Sequence, residues 1–195
     1  MRIIAGSAKG RELFSPQSEG VRPTSDRARE GLFSTLESEF STMEDLHFLD
    51  LFAGSGAVGV EALSRGAAKV HSVEREYESA DVAMKNFELV NSEPSRYQVY
   101  RQSAEDFLLQ ASGIKYDIIF MDPPYLLTNG EVERLLEIIS TRDLLQPSGL
   151  IAVERESKGR LFTWPKAPRA MELVKQRSYG QGSIFYGGYS ATVLA

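Results

Sequence analysis

Cysteine is absent from the 195 residues, which excludes disulfides and thiolate-held metals. Histidine occurs only twice, at His47 and His71. Both fall in expected strands without a partner at ligand spacing, so they read as packed or hydrogen-bonded core residues, and no metal is expected. No apolar run approaches the roughly 20 residues of a membrane-spanning helix. The opening Met1-Arg2-Ile3-Ile4-Ala5-Gly6 lacks a secretory apolar region, so a cytoplasmic protein is expected. Internal repeats and low-complexity tracts are missing too.

Net positive charge is also lacking: the formal balance is −5. It is unevenly spread. Residues 1–35 hold six Lys/Arg against four Asp/Glu, residues 36–153 nine against twenty, and residues 154–195 seven against three. An acidic body therefore lies between basic ends, and Arg2, Lys9 and Arg11 come with no acid in the first eleven residues. Such an arm suits phosphate contacts that position a nucleic acid, although solvated or internally paired charge explains the same residues equally well. At 42% apolar content, the chain is long enough for one well-buried domain.

What the chain does have is Asp122-Pro123-Pro124-Tyr125 after the apolar run 116–121. Neither proline has a backbone N–H, so the strand must stop there in a stiff, extended turn. The turn presents a carboxylate, carbonyls without neighbouring donors, and an aromatic face. That combination suits a planar base with an exocyclic amine. Upstream, His47–Phe52 leads into Ala53-Gly54-Ser55-Gly56-Ala57-Val58-Gly59, a strand, a glycine turn and a helix start in which a ligand can approach the backbone. The run 70–73 ends in Glu74, placed to accept ribose hydroxyls. A dinucleotide enzyme would show the same glycines and acid. Asp50 argues otherwise: it would repel a pyrophosphate, whereas the ammonium and sulfonium of S-adenosylmethionine are cations that it attracts.

The rest reads as alternation. An N-terminal β-hairpin over 2–6 and 10–14 precedes a helix capped within Thr24-Ser25-Asp26 and carrying Ala28, Leu32, Phe33 and Leu36, with Gly31 an interruption costing ~1 kcal/mol. Strands are expected at 47–52, 70–74, 97–101, 116–121 and 150–154, with helices at 57–65, 77–90, 104–111 and near 130–140, the last closed by Gln146-Pro147-Ser148-Gly149. Strands at 171–179 and 183–186 form a final antiparallel hairpin. The fold class is α/β, a parallel sheet with helices on both faces. Asp50, Glu74, Ser103 and Asp122 all fall at carboxyl ends of strands, where such sheets bind ligands. Asp50 and Asp122 on opposite sides of the molecule would end this reading.

Three motifs together, Arg22-Pro23-Thr24-Ser25-Asp26-Arg27-Ala28-Arg29-Glu30-Gly31-Leu32-Phe33, Asp50-Leu51-Phe52-Ala53-Gly54-Ser55-Gly56 and Asp122-Pro123-Pro124-Tyr125, resemble the RsmD-type 16S ribosomal RNA (guanine-N2) methyltransferase family. The opening Arg2–Gly6 and the tail Arg177-Ser178-Tyr179-Gly180 also match. The resemblance implies a class I, Rossmann-like methyltransferase with a seven-stranded mixed sheet, its last strand antiparallel. It implies an N-terminal hairpin extension over residues 1–20, placed to contact RNA, before a catalytic domain over 21–195. It further implies S-adenosyl-L-methionine as cofactor and N2 of one guanine in 16S rRNA as acceptor, reached by a monomer within an assembled or assembling small subunit. Carried over, Asp50, Gly54 and Gly56 line the methionine end, Glu74 holds the ribose, and Ser103 and Ala104 stand beside the adenine, where related enzymes often have Asp-Ala. Thr24 is a cofactor contact that, with Arg22 and Arg27, closes over the methionine carboxylate, unless the two arginines join Arg2, Lys9 and Arg11 in contacting RNA. Asp122, Pro123 and Tyr125 are the catalytic candidates. Two other readings stay open: a DNA adenine-N6 methyltransferase, whose acceptor amine is the same, and a non-catalytic ribosome assembly factor.

Overall fold

A computed structural model describes residues 1–16, 26–90, 93–156, 161–180 and 182–190. The expected site residues Arg22 and Thr24 lie outside these, as does the capping candidate Ser25. Seven strands form one sheet in the order β3-β2-β1-β4-β5-β7-β6: β1 His47–Asp50, β2 Lys69–Val73, β3 Tyr97–Tyr100, β4 Tyr116–Met121, β5 Leu145–Glu156, β6 Met171–Tyr179 and β7 Gly182–Tyr189. Strands β1 to β5 pair in parallel, and β7 runs antiparallel between β5 and β6. The helices are α1 Asp26–Phe40, α2 Ala57–Ser64, α3 Tyr77–Val90, α4 Ala104–Gln110 and α5 Asn129–Thr141.

Strand side chains alternate between two cores. Phe48, Val70, Ile118, Phe120 and Ala152 meet α1, α2 and the N-terminal arm, together with Phe87 of α3. Leu49, Val73, Ile119, Met121, Ile151 and Val153 meet α4 and α5. Both faces are covered, so the parallel strands are apolar on either side, as a buried parallel sheet requires. His71 sits in the second layer, its Nδ1 2.7 Å from the Tyr116 hydroxyl. Burial, then the nearby Lys69 and His47, lower its pKa to about 4.

The join between α5 and β5 differs from expectation. Helix α5 stops at Thr141, because Asp143 turns left-handed at φ 53° and Leu144 N–H donates back to the Ile139 carbonyl at 3.1 Å. That is the usual geometry for ending a helix, with Asp in the place often taken by Gly or Asn. Gln146-Pro147-Ser148-Gly149 therefore closes no helix. It lies inside β5, where Leu145 pairs with Tyr116 and Leu150 already pairs with Ile118. Pro147 lacks a ladder donor, so the intervening residues bulge outward. Gly149 returns the chain past Leu145, whose Cδ1 would stand 2.8 Å from an added Cβ.

The N-terminal arm pairs antiparallel at Arg2 and Glu12, with Ile3 N–H bonded to the Arg11 carbonyl and Leu13 N–H to that of Met1. Two further donors go to α2: Ile4 and Ala5 N–H donate to the two Glu61 oxygens at 2.8 and 2.9 Å. Glu61 is buried and also receives Arg65 Nε at 2.8 Å, while the buried Arg29 donates to the Arg2 carbonyl at 2.6 Å. Ile3, Ala8 and Leu13 join the α1–α2 core.

Candidate active site at the carboxyl rim of the sheet

The rim is built by the way the chain leaves each strand. After β1, Leu51 N–H donates to the Phe120 carbonyl on one side and Ala53 N–H to the Val73 carbonyl on the other, each at 3.0 Å. The glycine turn is thereby held over the ends of β4 and β2. Gly54 and Gly56 adopt φ values of 53° and 75°, which side-chain-bearing residues seldom tolerate. Gly56 caps α2 without a side chain, leaving backbone N–H groups at the helix start open towards the rim. At Gly59 a Cβ would stand 2.7 Å from Ser72 Oγ, so α2 can lie close against β2 only with glycine there. Glu74 completes the loop: one carboxylate oxygen accepts Gly54 N–H and the other Glu76 N–H, both at 2.8 Å. The acid therefore stands at the turn already oriented, with lone pairs left for hydroxyl donors.

Asp50 is the electrostatic centre. It pairs in register with Ser72 and Phe120, so its carboxylate lies between Glu74, two residues beyond Ser72, and Asp122, two beyond Phe120. Its side chain is 1% exposed and both oxygens lack a hydrogen-bond partner of normal geometry. Burial, then the negative field of Asp122 and Glu74, pushes its pKa up to about 8, against a weaker opposing pull from the Gly59 and Phe52 backbone amides. A buried carboxyl without a partner is costly unless something completes it. Three converging carboxyl groups call for a cation, and Gly54 and Gly56, without Cβ atoms, let a ligand approach the backbone beside them. The residues present therefore fit the ammonium and sulfonium end of S-adenosylmethionine, with Glu74 on the same rim at the end of the neighbouring strand.

Asp122 and its turn stand next to Asp50. Pro123 is buried, whereas Tyr125 is 61% and Leu126 94% exposed. The turn is braced: Leu127 N–H donates to the Pro124 carbonyl at 2.8 Å, and Arg155 donates to the Leu127 carbonyl at 2.8 Å. Thr128 and Glu131 then cap α5 reciprocally, the arrangement known as a capping box.

Ser103 has a role inside the fold. It caps α4, accepting Asp106 N–H at 3.1 Å and donating its proton to the Asp106 carboxylate at 2.6 Å. What remains for an adenine amine is a lone pair. Ala104 is buried beside it. Of the basic candidates, Arg2, Lys9 and Arg27 line one groove of about 420 Å³ near α1, together with Asp26 and Glu30. Arg11 lies elsewhere, donating to the Leu89 carbonyl near the end of α3. Among the described residues, no cluster of His, Asp and Glu could hold a metal ion, and no helix is long and apolar enough to cross a membrane.

One residue of the site escaped sequence reasoning. Asn86, buried on α3, accepts Phe14 N–H at 2.8 Å and donates to the Phe14 and Ser55 carbonyls at 3.0 and 2.9 Å. It thus joins the arm to the glycine turn. A single Asn on a helix carries no sequence signal for this.

A family described as "Conserved hypothetical protein 95" matches residues 1–187. "Ribosomal RNA small subunit methyltransferase D" of Haemophilus influenzae is 37% identical over 181 residues, covering 92% of this chain and 89% of its own. The protein of the same name from Escherichia coli strain K12 is 36% identical over 181 residues, covering 93% and 86%. The solved structure "Putative methyltransferase yhhF from Escherichia coli" aligns with a TM-score of 0.82 at 32% identity and covers 98% of both chains. The seven-stranded mixed sheet is that of the class I methyltransferases. The chain belongs to this methyltransferase family, the one in which the small subunit methyltransferases D are found.

Proposed function

We propose that the protein transfers a methyl group from S-adenosyl-L-methionine to the exocyclic N2 of a guanine in small-subunit ribosomal RNA. The observation that carries this reading is the pairing of two unlike carboxyl groups on adjacent strand ends. Asp50 is buried and faced by two other acids, suited to a cation, and Asp122 stands beside it at the mouth of the Pro-Pro turn. The names of the curated relatives support ribosomal RNA as the substrate.

When bound, S-adenosylmethionine supplies an electrophilic methyl on sulfur. Asp50 ionises against its positive charge, the start of α2 leaves backbone donors for its carboxylate, and Glu74 accepts ribose hydroxyls. Guanine N2 is a poor nucleophile because its lone pair is delocalised into the ring. Asp122 and the Pro123 carbonyl accept its two N–H bonds, drawing N2 towards tetrahedral geometry and stabilising the positive charge that develops there. Proton loss from N2 accompanies or follows methyl transfer, so no strong base is required beforehand. Tyr125 offers its exposed face to the base, a stacking contact worth ~1–3 kcal/mol. A paired or stacked guanine must first be extruded to reach this turn.

The test is direct. Small ribosomal subunits from cells lacking the protein are incubated with it and labelled S-adenosylmethionine, and nucleosides are separated. One new N2-methylguanosine per particle is expected. Label on duplex DNA as N6-methyladenine instead would favour the DNA enzyme. Particle binding without any transfer would favour an assembly factor.

A further inference from the structure

We propose that Leu126 is a wedge that enters the RNA stack as the target guanine leaves it, and so acts as a positioning residue for base extrusion. This rests on the guanine-methyltransferase reading above. Leu126 is the most exposed large apolar side chain among the described residues. An isolated surface leucine would mean little. This one follows Tyr125, itself exposed, at the tip of the turn that holds Asp122.

The turn is not slack. Its ends are tied by the Leu127 N–H to Pro124 carbonyl bond, by Arg155 on the Leu127 carbonyl, and by Pro123, which is buried. Leu127 packs on the core of the α4–α5 face, the opposite disposition from its neighbour. The backbone therefore holds Leu126 outward on a rigid base, with nothing in the fold gained by its exposure. An extruded base leaves a gap in the stack it came from, and an outward apolar side chain beside the base-binding turn is placed to fill it. Apolar side chains inserted between bases offset the stacking that extrusion removes in this way.

Wild type, Leu126→Ala and Leu126→Met are compared on small subunits from cells lacking the protein. The readouts are single-turnover methylation rate at saturating particle, particle affinity, and S-adenosylmethionine affinity as a check on the fold. Removing the wedge should slow the Leu126→Ala rate by roughly 10- to 100-fold, with both affinities within about threefold of wild type. Methionine, long and apolar, should restore most of the rate. A Leu126→Ala rate within about threefold of wild type overturns the proposal. So does a methionine variant as slow as alanine. A loss confined to particle affinity would make Leu126 a docking residue and also overturn it. Absence of guanine methylation by the wild type itself would instead refute the reading on which the wedge rests.

Discussion

At the scale of single residues, the site is governed by the contrast between Asp50 and Asp122. Asp50 holds its proton to about pH 8 in the ligand-free protein because it is buried and faces two other acids. A bound cation favours the ionised form, so binding near pH 7 should release close to one proton. Calorimetry in buffers of different ionisation heat would measure it, and affinity should rise with pH up to about 8. Asp50→Asn keeps the shape and removes the charge; S-adenosylmethionine affinity should fall by ~10- to 100-fold, the worth of a charge-assisted contact. The same variant should be more stable than wild type without ligand at high pH. The folded Asp50 binds a proton that the unfolded chain has already lost above its ordinary value of 3.8. Wild-type stability contributed by this group therefore declines as pH rises from about 4 to 8, and thermal melts of the asparagine variant should lack that slope. Asp122→Ala should behave oppositely, with turnover reduced by ~100-fold or more and cofactor affinity nearly unchanged. Equal loss of both would make Asp122 a structural turn residue.

At the scale of elements, alternation of apolar runs and helical stretches made the sheet legible, because the central parallel strands are buried on two faces and α1, α3 and α5 on one. The rim followed, since strand ends collect there whatever the loops do. What the sequence hid were contacts between elements distant along the chain. Gly31 reads as a costly interruption of α1, yet a Cβ there would stand 2.2 Å from the Tyr179 ring; the glycine leaves room for the tip of that side chain at the end of β6. Gly31→Ala should therefore destabilise the protein by ~1–3 kcal/mol through overpacking, the reverse of the gain that helix propensity foretells, and denaturant titration would separate the two. Asn86 is hidden for the same reason. Its three bonds tie the arm at Phe14 to the glycine turn at Ser55, so Asn86→Ala should cost ~1–3 kcal/mol in stability and weaken cofactor binding without altering the Asp122 turn. The part of Asp143 in closing α5 was hidden because Asp takes the left-handed conformation less often than Gly or Asn; the Gln146–Gly149 bulge was hidden because its proline and glycine look like a terminator.

For the whole molecule, charge is the difficulty: a chain of net −5 is proposed to work on a polyanion. The acidic excess sits in the central segment that carries the rim, where carboxyl groups serve the cofactor and the acceptor amine, so the body repels phosphate and affinity must come from its margins. Arg2, Lys9 and Arg27 are exposed and meet at one groove, while Arg11 is engaged by the Leu89 carbonyl. Asp26 and Glu30 in the same groove dilute the field, which favours a few phosphate contacts over broad attraction. If the three basic residues each meet one phosphate, replacing all three by glutamine should flatten the dependence of log affinity on log salt by roughly 2 to 3, at ~0.7–0.9 for each phosphate no longer neutralised. Arg11→Gln, by contrast, should leave that slope alone and lower stability slightly. Cofactor affinity should not change in the triple variant, because the arm reaches the glycine turn through the backbone of Phe14 and Asn86 rather than through these side chains. Titration of small subunits against each variant across a range of salt decides the matter: a slope unchanged by the triple substitution would move the RNA surface away from this groove, and one changed by Arg11→Gln would move it towards α3.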